Sequence, residues 1–181
     1  MIRLDAATFL LQWAVGGLFF TWVTTRRREV GLGYGWTMRI TFGLMAAASI
    51  LVSTFLEPVP VRDVAAVGVM LATAFAQFVS VRRKEAGVAG QREVVERRSA
   101  RVAAMTGIDR DEQRFDKEAA EFPPALDLIA PAIGIVGLVA AGIDAGSPAT
   151  LSVARILIGA AFLGAITDAM LLGHWYLVQP G

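Results

Sequence analysis

Apolar residues along this chain fall in five long blocks separated by short polar or proline-rich breaks, and one break is much longer than the others. The blocks predict five helices over about 6–25, 36–56, 64–81, 125–143 and 151–178. At 1.5 Å rise per residue each is long enough to approach or exceed the ~30 Å hydrocarbon core of a bilayer. The expected fold is an all-α integral membrane protein of five transmembrane helices with one cytoplasmic amphipathic helical loop. Residues 1–81 carry the first three spans, 82–123 the charged loop, and 124–181 the last two spans.

Breaks and ends support these boundaries. Arg26, Arg27 and Arg28 close the first block, which lacks the basic leader and small-residue cleavage pattern of a signal peptide and reads as a retained span. Gly31, Gly33 and Gly35 follow, and a tight turn is the expected use of them, since a dinucleotide loop needs a soluble strand before it. Glu57, Pro58 and Pro60 end the second span. Pro123 and Pro124 suit the start of the fourth, while Pro131 is expected to kink it. Ala130, Gly134, Gly137 and Ala141 recur on one face of that span, where small residues let a neighbouring helix approach. Gln179, Pro180 and Gly181 resemble a turn more than an end, so the gene is expected to run on.

The loop from Arg82 to Pro123 holds 10 of the 17 cations and 9 of the 16 anions. Arg82 to Ile108 carries a net charge of +4 and Asp109 to Glu121 a net charge of −3. Val88, Val95, Val102 and Met105 recur at helical spacing among arginines, which suggests an amphipathic helix meeting anionic lipid or a partner through Arg92, Arg97, Arg98 and Arg101. The acidic part either folds back or faces solvent. Nucleic acid is not an expected partner, because the basic stretch is short, is followed by acid and lacks interleaved aromatics.

Composition sharpens the picture. Hydrophobic residues make up 55% of the 181, and mean hydropathy is +0.56. With no cysteine, disulfides and thiolate metal sites of this chain's own are excluded, and a single histidine excludes a bis-histidine haem within one chain. Arginine outnumbers lysine 15 to 2 and asparagine is absent, a bias expected of a GC-rich bacterial genome. Fourteen cations fall on one side of the predicted topology and three on the other, so the positive-inside rule puts the loop and carboxyl terminus in the cytoplasm and the amino terminus outside.

Two groups of residues could carry chemistry. Asp168 lies inside the last apolar run, where an unpaired carboxylate costs roughly 2.5–3.5 kcal/mol, so it should face a helix seam along the Ala161, Gly164 and Ala165 stripe. Thr41, Thr73, Gln77 and Gln12 are its expected partners. The group is either a helix-to-helix hydrogen bond or a proton or cation site. His174, Trp175 and Tyr176 form an interfacial aromatic belt or, alternatively, a quinone or haem-edge pocket. Arg39 and Arg155 are expected to snorkel to the interfaces.

No catalytic constellation, HExxH or phosphate loop is present in the sequence. The leading expectation is therefore a non-catalytic membrane subunit or scaffold in a complex or homo-oligomer, its loop contacting a partner or lipid. The alternatives are a small transporter or proton pathway centred on Asp168 and an electron-transfer subunit with a site near His174. The sequence assigns no cofactor.

Overall fold

The computed structural model describes residues 4–56, 58–107, 115–116, 118–146 and 148–178. Most of the acidic segment expected over Asp109 to Glu121 lies outside them, as do Glu57 and the Gln179 to Gly181 end. The described residues are mostly helical, with no strand among them, and five of the helices are long and apolar enough to cross a membrane.

Helix α1 (Ala6–Thr25) starts where the Asp5 carboxylate accepts the Thr8 amide, an N-cap that satisfies one of the free first-turn donors. It is the most buried span. Helix α2 (Leu32–Ser53) begins four residues earlier than the sequence pattern indicates. Only Gly31 of the three glycines precedes it, as its N-cap. The turn is instead completed by Arg28, which takes the left-handed conformation at φ 57°. Helix α3 (Pro60–Arg82) likewise starts early, with Pro60 in the first turn, where its missing N–H costs no helical bond.

A short 3-10 turn, Lys84–Ala86, then leads to α4 (Ala89–Thr106). Helix α4 ends at Gly107, whose left-handed φ of 67° forms the usual carbonyl-capping end. The fourth span opens as a 3-10 helix, Pro124–Leu128, and continues as α5 (Ile129–Asp144). Pro131 therefore lies in the first turn of α5 and not at the middle of a continuous helix. The expected kink is replaced by this change of helix type. The last span, α6 (Ala149–Val178), has 30 residues, about 45 Å at helical rise.

The five spans pack as a ring in the order α1, α2, α3, α5, α6, with α1 also touching α5. Small residues determine how closely they meet. A Cβ on Gly16 would sit 1.8 Å from the Ala160 carbonyl oxygen, and one on Gly164 would sit 2.2 Å from Gly16, so α1 and α6 touch backbone to backbone. Ala130, Gly134, Gly137 and Ala141 are all buried on α5, against Leu11 and Val15 of α1 and Ala65 and Val69 of α3. In the stripe proposed for α6, Gly164 is buried, Ala165 is half-buried and Ala161 is exposed. The seam runs through Ile156, Ala160, Gly164 and Asp168 instead.

Candidate functional site at the basic end of the bundle

The end where α1, α3 and α6 finish and α2 and α5 begin gathers most of the arginines. It also holds two polar pairs inside the bundle. The first joins α2 to the 3-10 turn before α5. Arg39 donates from Nε to Asp127 Oδ1 at 2.7 Å and from Nη2 to Oδ2 at 2.8 Å. Both side chains are under 5% exposed. The Phe122 ring lies 4.4 Å from the guanidinium, and the Thr25 hydroxyl donates to Asp127 at 3.3 Å. A planar fork meeting both carboxylate oxygens is the strongest geometry an ion pair can take.

This corrects the expectation that Arg39 snorkels. With α2 starting at Leu32, Arg39 sits two turns inside the helix, and a carboxylate at the start of the facing span is nearer than water. Removing either partner strands the other charge in an apolar interior. Neither Arg39 as an ion-pair partner nor Asp127 stood out in the sequence. The available signal was that both lie at the same end, each two turns or less from a span start.

The second pair joins α2 to α6 across α1. The Tyr34 hydroxyl donates to Asp168 Oδ1 at 2.6 Å, and Trp175 packs edge-on to the Tyr34 ring at 5.8 Å. Thr24 of α1 lies beside them. Asp168 thus faces a helix seam, as expected, but its partner is none of the four residues proposed. Thr41 lies two turns beyond Tyr34. Thr73 gives its hydroxyl proton to Val69 O, Gln12 abuts Gly159, and Gln77 lies between α2 and α3. The reason is depth. Because α6 continues ten residues past Asp168, the carboxyl lies level with the first turn of α2, near one end of the bundle and not at its middle.

His174, Trp175 and Tyr176 are not brought together. Trp175 turns inward onto Tyr34, while His174 and Tyr176 are exposed. Among the described residues no group of three or more His, Asp or Glu side chains converges.

A third arrangement ties the charged loop to the spans. Glu121 pairs with Arg92 at 2.5 Å and Arg28 at 2.9 Å, and its backbone carbonyl accepts from Arg83 at 2.9 Å. Arg92 also donates to Ala86 O. The Gly90 amide donates to Arg28 O at 2.9 Å, an approach so close that a Cβ on Gly90 would meet Glu29 Cα at 2.9 Å. Arg92, expected to be available for lipid or a partner, is therefore committed to this clamp. Beyond it α4 has no buried residue, and Arg97, Arg98 and Arg101 are exposed, with Arg97 paired to Glu93. Of the expected apolar stripe, Val88 precedes α4 and is buried, Val95 and Val102 are half-buried, and Met105 at the far end is exposed.

At the opposite end Arg62 is fully buried, with Asp5 at 2.5 Å, Asp63 at 2.8 Å and the Thr8 hydroxyl at 3.1 Å. Arg155 is exposed there, consistent with snorkelling. Burial pushes the Asp5 carboxyl up, but the Thr8 amide and hydroxyl and the Arg62 guanidinium outweigh it and hold the acid below its ordinary value of 3.8.

No protein-family model matches the chain, and neither a curated protein nor a solved structure is similar enough to lend it a family or a function.

Two outcomes are expected. Arg39→Ala and Asp127→Ala should each destabilise the detergent-solubilised protein by about 3–5 kcal/mol, whereas the paired apolar replacement Arg39→Met with Asp127→Leu recovers most of that loss. Denaturant titrations of the three variants check this, and additive losses would contradict the pairing. Because the folded value of Asp5 lies below its unfolded value, its contribution is complete above the ordinary carboxylate range and fades as pH falls through the depressed value. Asp5→Asn should accordingly lower the melting temperature at neutral pH and flatten its decline in acid.

Proposed function

We propose that this chain is a non-catalytic, multi-pass subunit or scaffold of a bacterial cytoplasmic membrane, and that α4 is the arm by which it holds a partner protein. The observation that carries this reading is the contrast between the two ends of α4. Its root is fixed to the spans by the Glu121 clamp and the Gly90 to Arg28 bond, and beyond the root the helix has no buried residue. An exposed helix held at a defined place on a rigid bundle loses little freedom when a partner docks, so more of the contact energy is available for binding.

The arginine asymmetry supports an orientation with α4 and the carboxyl terminus in the cytoplasm and the amino terminus outside. Three exposed arginines along α4 favour a partner surface bearing acidic groups, and electrostatic steering would speed its encounter. A pathway through Asp168 draws less support, because Tyr34 occupies one carboxyl oxygen and the other polar residues proposed for the route lie apart from it. An electron-transfer site at His174 draws less again, since the flanking aromatics point in different directions.

Photo-crosslinking in intact cells tests the proposal. A crosslinker at Val94 or Arg98 should give one discrete protein adduct, which Arg98→Glu combined with Arg101→Glu reduces at the Val94 position. The same crosslinker at Leu44, on the lipid-facing side of α2, should not give it. Adducts to lipid alone at every α4 position would overturn the reading.

A further inference from the structure

Between α2 and α3, on the side away from α1, runs a groove of about 440 Å³. Its walls are Ile40, Leu44 and Ala47 on α2 and Met70, Ala74 and Phe78 on α3, and Ile40, Leu44 and Phe78 are more than half exposed at its mouth. In a chain whose helices cross a bilayer this mouth opens onto hydrocarbon. An apolar groove of that kind fits an acyl chain in shape and chemistry.

The polar groups of the groove are unequally committed. Arg39 is held by Asp127, and Thr73 donates to Val69 O. Gln77 is different: its Oε1 is buried and has no hydrogen-bond partner among the described residues. One turn beyond Phe78, at the basic rim, Arg82 stacks its guanidinium 4.9 Å from the Phe78 ring centre, and among the described residues no carboxylate pairs with it. Trp36 marks the same level on α2 by donating its indole N–H to Ser80 at 2.9 Å, as an interfacial tryptophan does.

The spacing along α3 matches the anatomy of a phospholipid. Arg82 is at the level of the phosphate. Gln77, about 7.5 Å deeper at helical rise, is at the level of the glycerol esters, whose carbonyl oxygens can accept from its side-chain N–H. Thr73, Met70 and the facing Leu44 and Ala47 are at the level of the acyl chain. We propose that this groove binds one anionic phospholipid, with its phosphate at Arg82, its ester region at Gln77 and one acyl chain between α2 and α3. The site is separate from α4, so it stands or falls independently of the partner proposed there.

The test uses the full chain in nanodiscs of equal phosphatidylglycerol and phosphatidylethanolamine, released into mild detergent and weighed by native mass spectrometry. The wild type should retain one lipid, phosphatidylglycerol over phosphatidylethanolamine by about fivefold, the ratio equivalent to the ~1 kcal/mol an arginine gains at an anionic surface. Arg82→Gln, on the exposed rim, should keep a bound lipid but lose the preference. Ala47→Phe, which fills the groove, should lose the lipid while Leu71→Phe, on the lipid-facing side of α3 outside it, retains it. Adding glycerol phosphate should not displace the lipid. Unchanged preference in Arg82→Gln, equal retention in a folded Ala47→Phe, or displacement by glycerol phosphate would each overturn the proposal.

Discussion

A guanidinium two turns inside an apolar helix constrains everything around it. Arg39 cannot reach water without leaving the bundle, and in a low-dielectric interior its charge is tolerable only beside a carboxylate held in good geometry. Asp127 supplies that carboxylate from the segment just before α5, so the pair fixes the entry of the fourth span against the second. Phe122 covers the guanidinium and Thr25 reaches the carboxylate from α1. Three spans are thereby referred to one point. Tyr34 and Asp168 add α6 to the same end, and Arg62 does comparable work at the other with Asp5 and Asp63. In the Arg39–Asp127 and Tyr34–Asp168 ties both members are buried together, so neither group is left unpaired in the interior, whereas Asp5 and Asp63 meet Arg62 from partly exposed positions.

The backbone-to-backbone contact of Gly16 with Ala160 and Gly164 complements these ties. Lipid tails are as apolar as leucine, so helices in a bilayer gain little from burying apolar surface against one another and rely on close packing and on polar bonds. The bundle uses both. Small residues bring α1, α5 and α6 together, and the ion pair and phenol–carboxyl bond define their register at the basic end. A rigid basic end is also what allows the Glu121 clamp to fix α4 in one place.

Much of the architecture was legible in the chain. Uninterrupted apolar blocks gave α1 to the residue, because arginines and an N-capping aspartate bound it, and they gave α2, α3, α5 and α6 within a few residues. Boundaries moved where glycine or proline was read as a break but was accommodated in a first helical turn, as with Gly33, Gly35 and Pro60. Asp168 was legible as a carboxyl that must face protein. Its partner was not, since partner choice depends on relative depth, and α6 overruns the end of the bundle. Arg39 was misjudged, and the pairing roles of Arg62 and Asp127 went unread, for a related reason: near a span end, snorkelling and pairing look the same in sequence, and only the position of the facing carboxylate separates them. Glu121 was one acid among nine until the fold set it between Arg28 and Arg92.

The account rests on hydrocarbon as the solvent for the outward faces of five helices. The absence of cysteine makes this directly measurable, since single cysteines can be introduced one at a time and spin-labelled. With labels at Leu44, Phe75 and Phe162 in liposomes, the account predicts relaxation by dissolved oxygen and little by a water-soluble nickel chelate, with the reverse at Val94 on α4. Nickel-chelate access at Leu44, Phe75 and Phe162 equal to that at Val94 would contradict it.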